Sequence, residues 1–256
     1  MISIETAPEL EKSEPYTGIA EVYDYILRHV DYEQWYRFIR GIMTQYVQNP
    51  QTVLELGCGT GKFGAKFSAD NFRIFGIDNS INMLRVAKTR AFRSFRIICA
   101  DIRNFYFKAK FDFIFSVHDT MNYQLTTDDV RAVFRCAKSV MHSKSIFMFD
   151  ITTEHNINRF FDNKTSFYKT RGMNIEWSNV YDSGSKHIIS SFKILYRDGR
   201  VFNEEHIQKI YEQDEIENIL DEEGFEIIKI CSDYTLNPPS GETIMINFIV
   251  KKRAEK

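Results

Sequence analysis

Cysteine is scarce in this chain. Cys58, Cys99, Cys136 and Cys231 are spread over 256 positions with no CxxC pair, which excludes a disulfide scaffold and a zinc framework. They are expected to be buried thiols of a reducing compartment. Glycine (12) and proline (5) are also thin, so the chain is neither collagen-like nor a low-complexity or disordered polymer. An excess of either charge is missing too. Thirty-three basic against 35 acidic residues leave a formal net charge of -2, and without a bulk positive field no nucleic-acid partner is expected. No apolar run approaches the roughly 18 residues of a membrane span. The opening residues, MISIETAPELEKSEP, have neither the basic start nor the apolar stretch of a signal peptide. A cytoplasmic protein without a membrane partner is expected. What remains is 43% hydrophobic and 27% charged residues, a globular composition long enough for one to two domains at roughly 150 residues each.

The rhythm of the chain divides it. Residues 1–15 are polar and expected to be a flexible terminus; residues 16–47, rich in aromatics, read as two helices split near Asp31 that form an N-terminal cap. Short apolar runs then alternate with helical segments: strands over 52–56, 72–78, 94–100, 111–117 and 145–151, with INMLRVAK and DDVRAVFRCAKSVM as helices between them. A capping-box pattern, Thr126 to Asp129, precedes the second of these helices. Alternating β and α with near-continuous apolar strands predicts a doubly wound, mostly parallel sheet with helices on both faces. From Met173 to Tyr211 the pattern becomes β-like, with turn signals at Asp182-Ser183-Gly184-Ser185 and Arg197-Asp198-Gly199-Arg200. A three-stranded antiparallel insertion is expected inside a subdomain spanning 152–212. A helix ended by Gly224 and two strands close the chain, so the main domain comprises 16–151 and 213–256.

The densest chemical signal is VLELGCGTGKFG at 53–64, where Gly57, Gly59 and Gly61 follow an apolar strand and precede a helix. Glycine permits positive φ and removes the Cβ that would block a ligand, while the helix start offers free N–H groups. Asp78 ends the next strand about 20 residues on, where a carboxylate accepts the hydroxyls of a ribose. Gly59-Thr60-Gly61-Lys62-Phe63-Gly64 also satisfies the G-x-G-x-x-G dinucleotide pattern, so a nicotinamide-dependent oxidoreductase has to be weighed. Glu55 argues against it: a carboxylate there repels a pyrophosphate and attracts a cation. Asp101, in Cys99-Ala100-Asp101-Ile102 after the third strand, suits the exocyclic amine of an adenine.

These residues resemble the class I, seven-β-strand S-adenosylmethionine-dependent methyltransferases. ELGCGTG is similar to that family's glycine-rich loop, IDNSINML to its ribose segment, CADIRNF to its adenine segment and FDFIFSVHDTMNY to its fourth-strand motif. Within the family the chain looks most like bacterial small-molecule enzymes related to glycine and amino-sugar N-methyltransferases. The resemblance implies a Rossmann-like sheet of order 3-2-1-4-5-7-6 with the last strand antiparallel. It implies S-adenosyl-L-methionine as cofactor, with Gly57, Cys58 and Gly59 on the methionine moiety, Gly61 in the same loop, and Asp78 and Asn79 on the ribose. Met83 and Ile102 would sandwich the adenine, Asp101 receive its amine, and Val117 and His118 border it. Tyr16, Tyr23 and Trp35 lie in the segment that folds over the cofactor in the family, and Arg28 would meet its carboxylate.

The acceptor is expected at the carboxyl edge of the sheet, where ligands of open α/β folds bind. Asn122 and Tyr123, with Trp35, are the candidate contacts there. His118 and His206 are the candidate bases should the acceptor need to lose a proton. Glu204, Glu205 and His206 lack the spacing of a metal site, and no metal is expected. The leading expectation is methyl transfer by in-line displacement to the N or O atom of a small molecule, with the β insertion as lid or homodimer surface. Alternatives are a non-catalytic cofactor-binding module, a nucleic-acid methyltransferase, for which Asn237-Pro238-Pro239-Ser240 resembles an Asn-Pro-Pro-aromatic motif without its aromatic, and the oxidoreductase.

Overall fold

The structure is a computed structural model, and residues 12–92, 94–170 and 172–254 are described. The flexible terminus expected at residues 1–15 lies outside the described residues as far as position 11. The described chain opens with strand β1 (Lys12–Ser13), helix α1 (Tyr23–Ile26) and helix α2 (Tyr32–Tyr46). Asp31 caps α2 by accepting the Glu33 and Gln34 amides at 3.1 and 2.9 Å. Then follow β2 (Thr52–Leu56), α3 (Lys62–Ala69), β3 (Arg73–Asp78), α4 (Ile81–Lys88), β4 (Phe95–Cys99), β5 (Phe111–Ser116), α5 (Thr127–Ser139) and β6 (Met141–Thr152). The Asp129 amide donates to Thr126 Oγ1 at 3.1 Å, closing the expected cap of α5. A short helix, α6 (Glu154–Asn156), leads to β7 (Thr165–Lys169), β8 (Met173–Asp182), β9 (His187–Tyr196) and β10 (Val201–Lys209). Helix α7 (Gln213–Glu222), β11 (Phe225–Ser232) and β12 (Met245–Lys252) complete the fold.

Seven strands form the central sheet in the order β11-β12-β6-β5-β2-β3-β4. This is the 3-2-1-4-5-7-6 order that the family resemblance implies, with β12 antiparallel to both neighbours. The apolar runs are continuous because both faces are covered. On one face Leu54, Leu56, Phe147 and Phe149 pack under α5 and α7; on the other Val53, Phe113, Phe115 and Met148 pack under α2 and α3.

A second sheet runs β1-β10-β9-β8-β7, with four antiparallel strands and the two-residue β1 parallel to β10 at its edge. The sequence reading expected three strands and missed β7. That strand is an edge whose side chains are nearly all exposed, Phe167 to 75%, so it carries no alternation of buried and exposed residues. The predicted turns are present: Asp182 Oδ1 accepts the Gly184 amide at 3.0 Å, and Gly199 has φ 88°.

Two further expectations change. The first cap helix is a single turn at 23–26, because the Glu204 carboxylate takes the Gly18 and Ile19 amides and ties residues 14–19 into a strap across the second sheet. Cys58 and Cys231 are buried, but Cys99 is exposed and Cys136 is half-buried.

Gly64 sits in α3 where an added Cβ would overlap the ring of Phe95, a residue 1% exposed. Gly64→Ala is expected to destabilise the protein by about 1–3 kcal/mol through overpacking, read as a lower denaturation midpoint in urea with an unchanged slope.

Candidate active site

The turn from β2 to α3 is built on glycine. Gly57, Gly59 and Gly61 have φ of 74°, 51° and 76°, conformations that L side chains rarely adopt. The Gly57 and Cys58 amides donate to the Ile77 carbonyl at 2.8 and 2.9 Å, tying the turn to the end of β3. There Asp78 accepts the Gly59 amide on Oδ2 and the Ser80 amide on Oδ1, both at 2.8 Å. Desolvation raises the Asp78 pKa and the two amide donors pull it back. Glu55, at the end of β2, is 2% exposed, and its Oε2 has no hydrogen-bond partner among the described residues. Burial, and secondarily Asp78, push its pKa well up.

A cavity of about 580 Å³ opens over this turn. Among the candidates, Tyr16, Tyr23, Glu55, Gly57, Cys58, Gly59, Asp78, Asn79, Met83, Asp101, Ile102, Val117, His118 and Tyr123 line it. Gly61 does not; it opens α3 and faces Phe95 and Ala87. Arg28 is not brought there either: its guanidinium donates to the Tyr25 carbonyl at 2.7 Å and lies over the Tyr25 ring. Asp101 reaches the rim, but Arg103 grips both of its oxygens, at 2.7 to 3.1 Å, and holds its pKa below the usual carboxylate range.

A second cavity, of about 570 Å³, lies between the cap, the carboxyl edge of the central sheet and the face of the second sheet. Trp35 lines this one, stacked on Tyr234 with ring centroids 4.0 Å apart. Tyr16, Tyr23, His118 and Tyr123 line both cavities and form a shared wall. His118 and Asp119 have φ of 64° and 62°, and their amides donate to the Asp150 carboxylate at 2.8 and 3.2 Å. Desolvation, aided by Lys62 and His29, lowers the His118 pKa to about 4. Burial and the Asp150 charge raise that of Asp119, whose Oδ1 has no partner among the described residues. His206 is 3% exposed, between the Tyr123 hydroxyl at 2.8 Å and Glu204 at 3.2 Å. Asn122 faces neither cavity: its amide donates to the Lys209 carbonyl at 2.8 Å and accepts the Thr152 amide at 3.0 Å, clamping the two sheets together. Sequence reasoning missed Trp177, Phe192 and Asn179 of the second cavity, which alternate with exposed residues along β8 and β9 and read only as a sheet's inner face.

Residues 53–144 match a family model described as a methyltransferase domain. The match covers the glycine turn and the strands around it, on the class I methyltransferase fold. The chain is 27% identical over 243 residues to a Bacillus subtilis (strain 168) protein assigned as a methyltransferase, YqeM, covering 93% of this chain and 97% of that one. Its structure is similar to the crystal structure of an S-adenosylmethionine-dependent methyltransferase from Clostridium acetobutylicum, with a TM-score of 0.80 and 25% identity over 93% of this chain and 99% of that one. It shares its fold with the sugar N-methyltransferase KedS8 from Streptoalloteichus, at a TM-score of 0.76 and 15% identity over 99% and 100% of the two chains. The family match decides between the two readings of the glycine turn, against the oxidoreductase.

Because burial raises the Glu55 pKa, its contribution to stability is present below the unfolded pKa and is lost as pH rises through the folded one. Glu55→Gln is therefore expected to raise the melting temperature of the ligand-free protein at pH 8, with a smaller gain near pH 4, in scanning calorimetry.

Proposed function

We propose that this methyltransferase uses S-adenosylmethionine to methylate a small acceptor held in the second cavity. The observation that carries the reading is the shared wall. Two cavities of similar volume share Tyr16, Tyr23, His118 and Tyr123 among the described residues, so a donor in one and an acceptor in the other would meet at that common boundary.

The first cavity suits that cofactor. Gly57, Cys58 and Gly59 line the cavity, Asp78 offers a carboxylate to a ribose, and a cationic ligand would draw the buried Glu55, whose Oε2 has no partner among the described residues, toward its charged form. Met83 and Ile102 provide apolar walls for a base. When bound, the cofactor supplies a methyl group already activated by its sulfonium. His118, kept neutral by burial, places no positive charge beside that cation. The second cavity is lined by Trp35, Trp177 and Phe192 and closed by the inserted sheet, which fits an acceptor with an apolar or aromatic body. The net charge of -2 argues against nucleic acid. Among the described residues no helix is long and apolar enough to cross a membrane.

Calorimetric titration with S-adenosylmethionine, S-adenosylhomocysteine and NAD tests the reading. The first two are expected to bind tightly and NAD weakly, and Asp78→Ala to lose roughly 10- to 100-fold in affinity, as for a hydrogen bond to a charged group. Tighter binding of NAD, or an unchanged Asp78→Ala, refutes it. Trp177→Ala is expected to leave cofactor affinity intact while slowing methyl incorporation from labelled cofactor into a small-metabolite extract.

A further inference from the structure

Four side chains from three separate parts of the chain form one hydrogen-bonded row at the shared wall. Tyr16, in the strap, donates to the Tyr123 hydroxyl at 2.6 Å. Tyr123, after β5, lies 2.8 Å from His206 Nδ1, and His206 Nε2 lies 3.2 Å from Glu204 Oε1 on the same strand, β10. Glu204 Oε2 receives the Gly18 and Ile19 amides. A carboxylate only accepts, so the His206 proton resides on Nε2 and Nδ1 presents a lone pair. Tyr123 then donates to Nδ1, Tyr16 donates to Tyr123, and the Tyr16 oxygen is left as the open acceptor end of a row polarised in a single direction.

We propose that Tyr16, Tyr123, His206 and Glu204 are a proton relay that removes the proton of a hydroxyl acceptor during methyl transfer. This rests on the proposed methyl transfer. As the acceptor heteroatom bonds to the methyl carbon, the electron pair of the broken C–S bond stays on sulfur. The acceptor proton passes to Tyr16 Oη, the Tyr16 proton to Tyr123, and the Tyr123 proton to His206 Nδ1. The resulting imidazolium lies against Glu204.

A direct tyrosinate is disfavoured, since burial raises the pKa of both Tyr16 and Tyr123; concerted movement avoids it by placing the charge on the imidazole. The strap makes the relay conditional. Glu204 holds Gly18 and Ile19, and in that position Tyr16 reaches Tyr123. The groups facing His206 are Glu204 on its own strand, Tyr123 from the central sheet and Tyr16 from the strap, with Phe192 of β9 as the apolar contact. Tyr23 backs Tyr16, and Asp78, Asp119 and Glu204 act on Tyr123 through their charge.

Two measurements test the relay. In the 15N spectrum of histidine-labelled protein at neutral pH, His206 is expected as the Nε2–H tautomer, with an Nδ1 resonance that shifts in Tyr123→Phe. An Nδ1–H tautomer overturns the proposal. In the second, the initial rate of labelled methyl transfer from S-adenosylmethionine into a small-metabolite extract is followed against pH. His206→Gln is expected to lose about 100-fold, within the range for general base catalysis, and to flatten the acid limb of the profile while keeping its cofactor affinity. Tyr16→Phe, which retains the ring and removes one hydroxyl, is expected to lose at least about tenfold with a similarly flattened limb; it carries the test if the buried His206→Gln does not fold. Wild-type rates and profiles in both variants overturn the relay. Wild-type protein that fails to bind S-adenosylmethionine overturns the methyl-transfer reading instead.

Discussion

One buried carboxylate holds the junction on which the site depends. Asp150, near the end of β6, is fully buried and accepts the amides of His118 and Asp119 together with the Tyr234 hydroxyl. Those contacts keep two consecutive non-glycine residues in the left-handed region, a conformation that persists only where the surroundings over-determine it. The bend turns the chain leaving β5 across the sheet edge, putting His118 on the wall between the cavities and Asp119 on the second cavity. Tyr234 in turn stacks on Trp35 of the cap. Sheet edge, cap and cavity wall are therefore braced through one group.

The second sheet contributes as much to the site as the central one. Glu204 and His206 are two residues apart on β10 and point to the same face, toward the Tyr16 strap and Tyr123. The central sheet presents the glycine turn and Asp78; the added strands supply the aromatic lining opposite. Asn122 ties the two by bonding Lys209 at the end of β10 and Thr152 in β6. The distance between the cavities is thus set by buried hydrogen bonds, which are costly to leave unmade.

Much of this was legible from residue order. Gly57, Gly59 and Gly61 signal a turn that needs positive φ, and Asp78 follows at the end of the next apolar strand, so most of the first cavity's lining from Glu55 to Val117, though not Gly61, was legible. Legibility failed where contacts join residues far apart in sequence. Arg28 looked available to a carboxylate but folds back on Tyr25. Asn122 looked like an acceptor contact but is consumed by backbone groups. β7, exposed on nearly every side chain, has no periodicity to read.

By itself the sequence determined the alternating strands and helices, the glycine turn and its acidic partner, because these rest on local rules: apolar runs long enough for a strand, backbone angles that favour glycine, and the recurring separation of one strand end from the next; the sheet order followed only from the family resemblance. Tertiary structure alone decided that Tyr16, Tyr123, His206 and Glu204 form one row, that Trp35 belongs to the second cavity and that Asp150 braces the bend. Those are contacts between residues as many as 186 positions apart. They exist because two sheets and a strap pack around shared buried polar groups, and no spacing along the chain records that packing.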